Sequence, residues 1–215
     1  MSSNKPEFDP ARLPPLAVAR SQRPHRELAA RLEHPEQPSI FQPLAYLNVQ
    51  VDGHETSYFE WLGAGLYSAG SHSVKPNGRP SILHELHYGF SERFFYLRVD
   101  AFPGSLSQLR ECEFQISLRG SEELRLTVGI LNGRFAGSLL DTPGLCILGP
   151  HELVQAAFGK ILEVAIGRRL IALAGHACLK FEVEFWHEGH SLDILPHEAP
   201  LEVKLGADAF AWPVC

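Results

Sequence analysis

Short runs rich in β-branched and aromatic residues, cut by turn dipeptides at near-regular intervals, fill the chain from Ser39 onward and constrain its fold more than any other feature. The predicted strands are Leu44–Val51, Ser57–Leu66, Ile82–Tyr88, Phe94–Ala101, Glu111–Leu118, Glu123–Leu131, Phe135–Leu140, Val154–Phe158, Ile161–Ile166, Ala177–Trp186 and Leu201–Lys204. Breaks fall between them at Asp52-Gly53, Pro76-Asn77-Gly78, Pro103-Gly104, Asn132-Gly133 and Glu188-Gly189, among others. Asn132-Gly133 is the clearest hairpin signal, because a type I′ turn needs positive φ at both central residues. Cys112, Phe114, Ile116 and Leu118 alternate with Glu113, Gln115 and Ser117. Likewise Phe181, Val183 and Phe185 alternate with Glu182, Glu184 and Trp186, so one face is wet and the other is core. A helical period is confined to a turn at Arg26–Glu33 and a candidate at Gly167–Leu173. Without βα alternation the pattern predicts an all-β, two-layer antiparallel β-sandwich over residues 39–215.

Residues 1–38 read differently. Pro6, Pro10, Pro14, Pro15, Pro24, Pro35 and Pro38 punctuate a polar stretch with scattered leucines, which predicts an irregular, partly ordered extension rather than a domain. The 25 acidic residues against 19 basic ones give a net charge of −6, and no Lys/Arg stripe is present to displace counterions, so a nucleic-acid partner is not expected. Cys112, Cys146, Cys178 and Cys215 are far apart and form no CxxC pair, so they read as free thiols. With no apolar signal segment at the N-terminus, the expected location is the cytoplasm. No apolar run reaches bilayer-spanning length, so no membrane partner is expected.

Three separated stretches carry a family pattern. The first is Asp52-Gly53 followed by Tyr58–Gly65, with Trp61 at its centre; the second is Leu86–Ser91 leading into Phe94–Asp100; the third is Leu162–Ile166 with Glu163, then Leu179–Trp186 and Asp193–Pro196. In that order they resemble the DOMON-like and family 9 carbohydrate-binding-module-like β-sandwiches. The Tyr58–Gly65 and Tyr96–Asp100 pair is similar, more specifically, to the C-terminal sandwich that follows the catalytic barrel in bacterial family 57 glycoside hydrolases. The resemblance spans roughly Val49 to Leu205, about the size of one domain. It implies an accessory module for α-glucan or related polysaccharide chemistry, partnered by carbohydrate or by a glycoside hydrolase catalytic domain. It also marks Asp52, Gly53, Trp61, Tyr96, Arg98, Asp100 and Glu163 as the structural motif. Two positions depart from the pattern: Gly167 stands where it has Pro, and Leu195-Pro196 replaces a closing Trp-Pro.

For a sugar ligand the residues themselves offer Trp186, which alternates onto the polar face with Glu182 and Glu184, two carboxylates able to accept hydroxyl protons. A Trp capping a sheet edge accounts for the same position. Trp61 reads as core, since Leu62-Gly63-Ala64-Gly65 lets a large ring lie against a neighbouring strand. Tyr96, Arg98 and Asp100 share a strand face, either as a polar recognition row or, more simply, as an ion pair with a cross-strand partner. His187-x-x-His190 near Glu188 and Asp193, and the pair His84/His87, have metal-ligand residue types without zinc-site spacing, and His84 and His87 should point to opposite strand faces; no metal is expected. Haem is excluded because the only methionine is Met1, and no other cofactor is implied. No GxSxG elbow, Cys/His set or phosphate loop is present, so no catalytic residue is assigned. The alternative to carbohydrate binding is a protein-interaction or scaffold sandwich without a small ligand, with a homodimer as one form of it.

Overall fold

The computed structural model describes residues 38–70, 80–105, 111–120, 122–142, 145–148, 153–173 and 178–204. The predicted extension up to residue 37 lies outside the described residues, as does the Pro76-Asn77-Gly78 break. The strands are β1 (Ser39–Phe41), β2 (Gly65–Ser68), β3 (Leu83–Phe90), β4 (Phe94–Ala101), β5 (Cys112–Arg119), β6 (Glu123–Leu131) and β7 (Arg134–Thr142). They continue with β8 (Leu145–Leu148), β9 (Val154–Phe158), β10 (Leu162–Gly167), β11 (Cys178–His187), β12 (His190–Leu195) and β13 (Leu201–Lys204), and a short helix α1 (Arg168–Leu173) follows β10.

Two antiparallel sheets result. The first runs β1-β2-β3-β4-β10-β9 and the second β12-β11-β5-β6-β7-β8, with β13 also on β11. Strand β11 is long enough to serve two partners along one edge: Val183–His187 pairs β12, and Cys178–Phe181 pairs β13. The alternation read from the sequence is realised in β5 and β6, where every second side chain is buried. Asn132 (φ 53°) and Gly133 (φ 67°) close the β6–β7 hairpin, and Glu188 (φ 49°) and Gly189 (φ 75°) close β11–β12. Both turns therefore have the positive φ pair that matches strand twist.

The main core lies between the sheets. Tyr88 and Phe95 of the first sheet meet Phe181 of the second, with ring centroids of 5.0 Å for Tyr88–Phe181 and 5.3 Å for Phe95–Phe181, and Phe90 packs on Phe95 at 5.0 Å. Each such ring contributes about 3 kcal/mol through burial alone.

The first sheet departs from one-face burial. All six residues of β10 are buried, and five consecutive residues of β4 are too. Its outer face is covered by the chain segment 44–64. A second core forms there from Leu47, Trp61, Tyr96 and Ala165, flanked by Val49, Val51, Ala64 and Phe94. This corrects the strands predicted at Leu44–Val51 and Ser57–Leu66. The alternation of Leu47, Val49 and Val51 is satisfied by lying across a sheet face rather than by joining a ladder, and 58–63 coils into turns. Leu47 donates its N–H to the Phe90 carbonyl at 2.6 Å, and Leu44 to the Gly63 carbonyl at 2.8 Å. The crossing is close enough that a Cβ on Gly89 would lie 2.6 Å from Leu47 Cδ1.

Candidate functional site

The motif residues from three distant stretches meet under this strap. Glu163, fully buried on β10, accepts the backbone N–H groups of Asp52 (3.0 Å) and Gly53 (2.9 Å) on Oε2 and the Trp61 indole N–H (3.1 Å) on Oε1. A buried carboxylate is tolerated only when its lone pairs are so used. Asp52 in turn accepts the His54 N–H at 2.8 Å, and the Gly53 carbonyl accepts Lys160 N–H at 2.9 Å. Gly53 has φ +79°, and a Cβ there would meet Gly159 N at 2.7 Å. The Asp-Gly, the Trp and the Glu are thus one fastening, and Trp61, 8% exposed, is core as its sequence context indicated. Tyr96 is buried beside it, with its hydroxyl 3.4 Å from Ser91 Oγ.

Beside the fastening, a polar cluster fills the same sheet face. Arg98 grips Asp100 through Nε–Oδ1 (2.8 Å) and Nη2–Oδ2 (2.7 Å), and Glu55 of the strap reaches the same guanidinium at 3.5 Å. The partner expected on a neighbouring strand is instead two residues along the same strand, with help from the strap. His87, cross-strand to Arg98, holds Glu85 Oε2 at 3.2 Å, and this hydrogen bond keeps the Glu85 carboxyl below the usual range. A register shift between Leu83 and Glu85 breaks the strict alternation. His84 and His87, expected on opposite faces, both approach Glu85, His84 Nδ1 at 3.9 Å from Oε1. The ligand atoms of Glu85, His87 and Asp100 all lie within 4.8 Å of one another.

On the second sheet, Trp186, Glu182 and Glu184 do share a face. Their polar atoms are engaged within the protein: Glu182, 8% exposed, pairs with Arg119, while Trp186 donates its indole N–H to Glu184 at 3.0 Å. His187 and His190 pair across the β11–β12 turn, with His187 Nδ1 2.6 Å from the Glu111 carbonyl oxygen.

Sequence reasoning missed the role of Asp193. Buried on β12, its Oδ2 accepts the N–H groups of Ile82 and Leu83, and its Oδ1 accepts that of Ile194 at 3.0 Å. This ties the second sheet to the first in the way Glu163 ties down the strap. Around it, His197 Nε2 stands 3.5 Å from Asp193 Oδ1 and 3.2 Å from Ser81 Oγ. The set has serine-hydrolase residue types but uses one ring nitrogen for both contacts. A relay needs the acid on Nδ1 and the serine on Nε2, so this arrangement is a structural bridge. Tyr67 donates to Glu198 at 3.1 Å, and burial pushes its phenol up to about 12. Burial likewise raises the Cys112 thiol to about 12, which makes it a poor nucleophile.

The surface shows two further features. A cleft of about 390 Å³ between the ends of β1 and β13 is lined, among the described residues, by Gln42, Pro43, Phe90, Cys178, Glu202, Val203 and Lys204. On the strap, Tyr58 and Phe59 are each 74% exposed and stand edge to face with centroids 5.8 Å apart. Tyr46, Leu44 and Leu62 on the same segment, and Ile40 and Phe41 on β1, are exposed as well. No helix among the described residues is long and apolar enough to cross a membrane. A scan against protein-family models, a search of curated proteins and a search of solved structures each find no match for this chain.

Proposed function

We propose that the chain is a non-catalytic accessory module of polysaccharide chemistry, of the kind that accompanies α-glucan-processing glycoside hydrolases, and that it holds carbohydrate on the strap. The observation that carries this reading is the exposed Tyr58/Phe59 pair. Two large rings facing solvent are costly unless something covers them, and a ring face is well matched to the apolar side of a pyranose. The Glu163 and Gly63 contacts described above fix the segment at both ends, so the rings are presented with little conformational freedom to lose. Glu55 and Thr56, both exposed, supply acceptor oxygens for hydroxyl groups alongside, the Thr56 proton being donated to Glu60. The motif resemblance supports the same class. The buried carboxylates argue against hydrolysis, because Glu163, Asp193 and Glu182 are each committed to internal donors.

A second reading has its own observation. The patch continues into the aliphatic Ile40, Leu44 and Leu62, which suit a protein surface better than a sugar, and β1 is a sheet edge. Docking on a glycoside hydrolase domain or self-association would use it.

Affinity electrophoresis in soluble starch, glycogen and a panel of β-glucans separates the two. Retardation by a glucan that is lost in Tyr58→Ala/Phe59→Ala supports the first reading. No retardation by any glucan, together with a mass that rises with concentration and falls back in Ile40→Glu, replaces it with the second.

A further inference from the structure

We infer that Glu85, His87 and Asp100 form a binding site for a divalent transition-metal ion of the zinc class. The inference is independent of the carbohydrate reading. Imidazole and carboxylate together are a donor set for Zn²⁺, which takes nitrogen and oxygen ligands at about 2.0–2.2 Å. Two tetrahedral ligands at that distance stand about 3.3 Å apart, and Glu85 Oε2 and His87 Nε2 are 3.2 Å apart. The Asp100 ligand atom lies within 4.8 Å of both, on the adjacent strand and in register with Glu85. The register shift at Leu83/Glu85 leaves His84 Nδ1 3.9 Å from the other oxygen of the same carboxylate, beside the three donors rather than among them.

Asp100 and His87 are held by neighbours, as metal ligands require. The Arg98 fork fixes the Asp100 carboxylate, the Phe102 ring packs on His84 at 4.5 Å, and Trp61 stands edge-on to His87 at 6.1 Å. Arg98 does not forbid a cation. Each carboxylate oxygen has a second lone pair, so Asp100 can accept from the guanidinium and still ligate. The local charge also favours the ion, because Glu55, Glu85 and Asp100 face a single guanidinium while the imidazoles are neutral when ligating. The three donors are half-buried, so an ion has access from solvent.

The test is titration of the full chain with ZnCl₂ and with CoCl₂, followed by calorimetry and by the visible absorption of Co²⁺. One equivalent should bind, with the intense bands of a low-coordinate Co²⁺ site. His87→Ala and Glu85→Gln should weaken it by about 100-fold or more, whereas His187→Ala/His190→Ala should leave it unchanged. Absence of stoichiometric binding overturns the proposal, as does binding that persists in both His87→Ala and Glu85→Gln. Should those variants fail to fold by circular dichroism, the imidazole resonances of the unaltered protein decide. A shift of His87 on adding Zn²⁺ supports the site, and shifts confined to histidines other than His84 and His87 overturn it.

Discussion

Trp61 and Glu163 lie 102 residues apart in sequence, yet the indole N–H meets the carboxylate at 3.1 Å inside the protein. The other oxygen of that carboxylate carries two backbone N–H groups, so three donors depend on one side chain. Replacing Glu163 by Gln keeps the shape but turns an amide NH₂ toward a donor, and should cost about 2–3 kcal/mol. Glu163→Ala, which strands all three donors, should cost about 3–5 kcal/mol. Trp61→Phe should cost about 1.5–3 kcal/mol. The Trp61/Glu163 double variant should lose less than the sum, because both act on one network. Urea unfolding midpoints of the four proteins check this, and strict additivity would show that the two residues do not share a fastening.

Gly53 sits at φ +79° with its Cα against the Phe158–Gly159 backbone. Gly53→Ala meets both a conformational penalty and a backbone clash that no side-chain rotation can relieve. A loss of about 2 kcal/mol or more is expected. Gly133→Ala offers the contrast: φ is +67° but the space around it is open, so about 1 kcal/mol is expected from the backbone term alone. Thermal unfolding of the two variants side by side measures the difference.

Asp193→Asn should destabilise the sandwich by about 2–3 kcal/mol, since an amide cannot accept on both sides from the Ile82, Leu83 and Ile194 N–H groups. Hydrogen exchange should show the loosening first at the Ile82 and Leu83 amides. Unchanged protection there would disprove the role assigned to Asp193.

Stability should decline on the alkaline side. Burial raises the phenols of Tyr67 and Tyr88 from 10.0 to about 12, and the thiol of Cys112 from 9.0 to about 12. The unfolded chain therefore gives up these protons first, the native state binds more protons across that window, and stability falls with rising pH. The contribution is intact below pH 9, shrinks between 9 and 12, and is gone above the native values. Denaturant midpoints from pH 8 to 11 read this directly, and Cys112 should react with a thiol reagent only as fast as the protein opens.

If sugar is held on the strap, Trp186→Phe should leave glucan retardation unchanged while Tyr58→Ala/Phe59→Ala abolishes it. The Tyr58→Ala/Phe59→Ala variant should lose no more than about 1 kcal/mol of stability, since both rings are mostly exposed. The reverse ranking would return the ligand to the second sheet.

Much of the strand framework was legible because alternation is a local property. The ranges expected for β4, β6, β9 and β13 agree with the structure residue for residue, and Asn132-Gly133 closes a hairpin because its requirement is local too. Short β8 (Leu145–Leu148) and β12 (His190–Leu195) were not legible, the second because Asp193 interrupts its apolar run with a charge whose partners are distant backbone amides.

The strap shows where local reading stops. Leu47, Val49 and Val51 alternate like a strand, and nothing nearby in sequence distinguishes pairing in a ladder from lying across a finished sheet. The same holds for His84, whose direction depends on a register shift that only pairing with β4 creates, and for Trp186, whose indole N–H goes to Glu184. The sequence by itself determined the two-sheet antiparallel sandwich, since side-chain period and turn chemistry act over a few residues. Only the tertiary structure decided what its charges do. A carboxylate such as Glu163 or Asp193 becomes a fastening, rather than a solvated or catalytic group, through donors more than a hundred residues away that reach it once the sheets have packed and water has left.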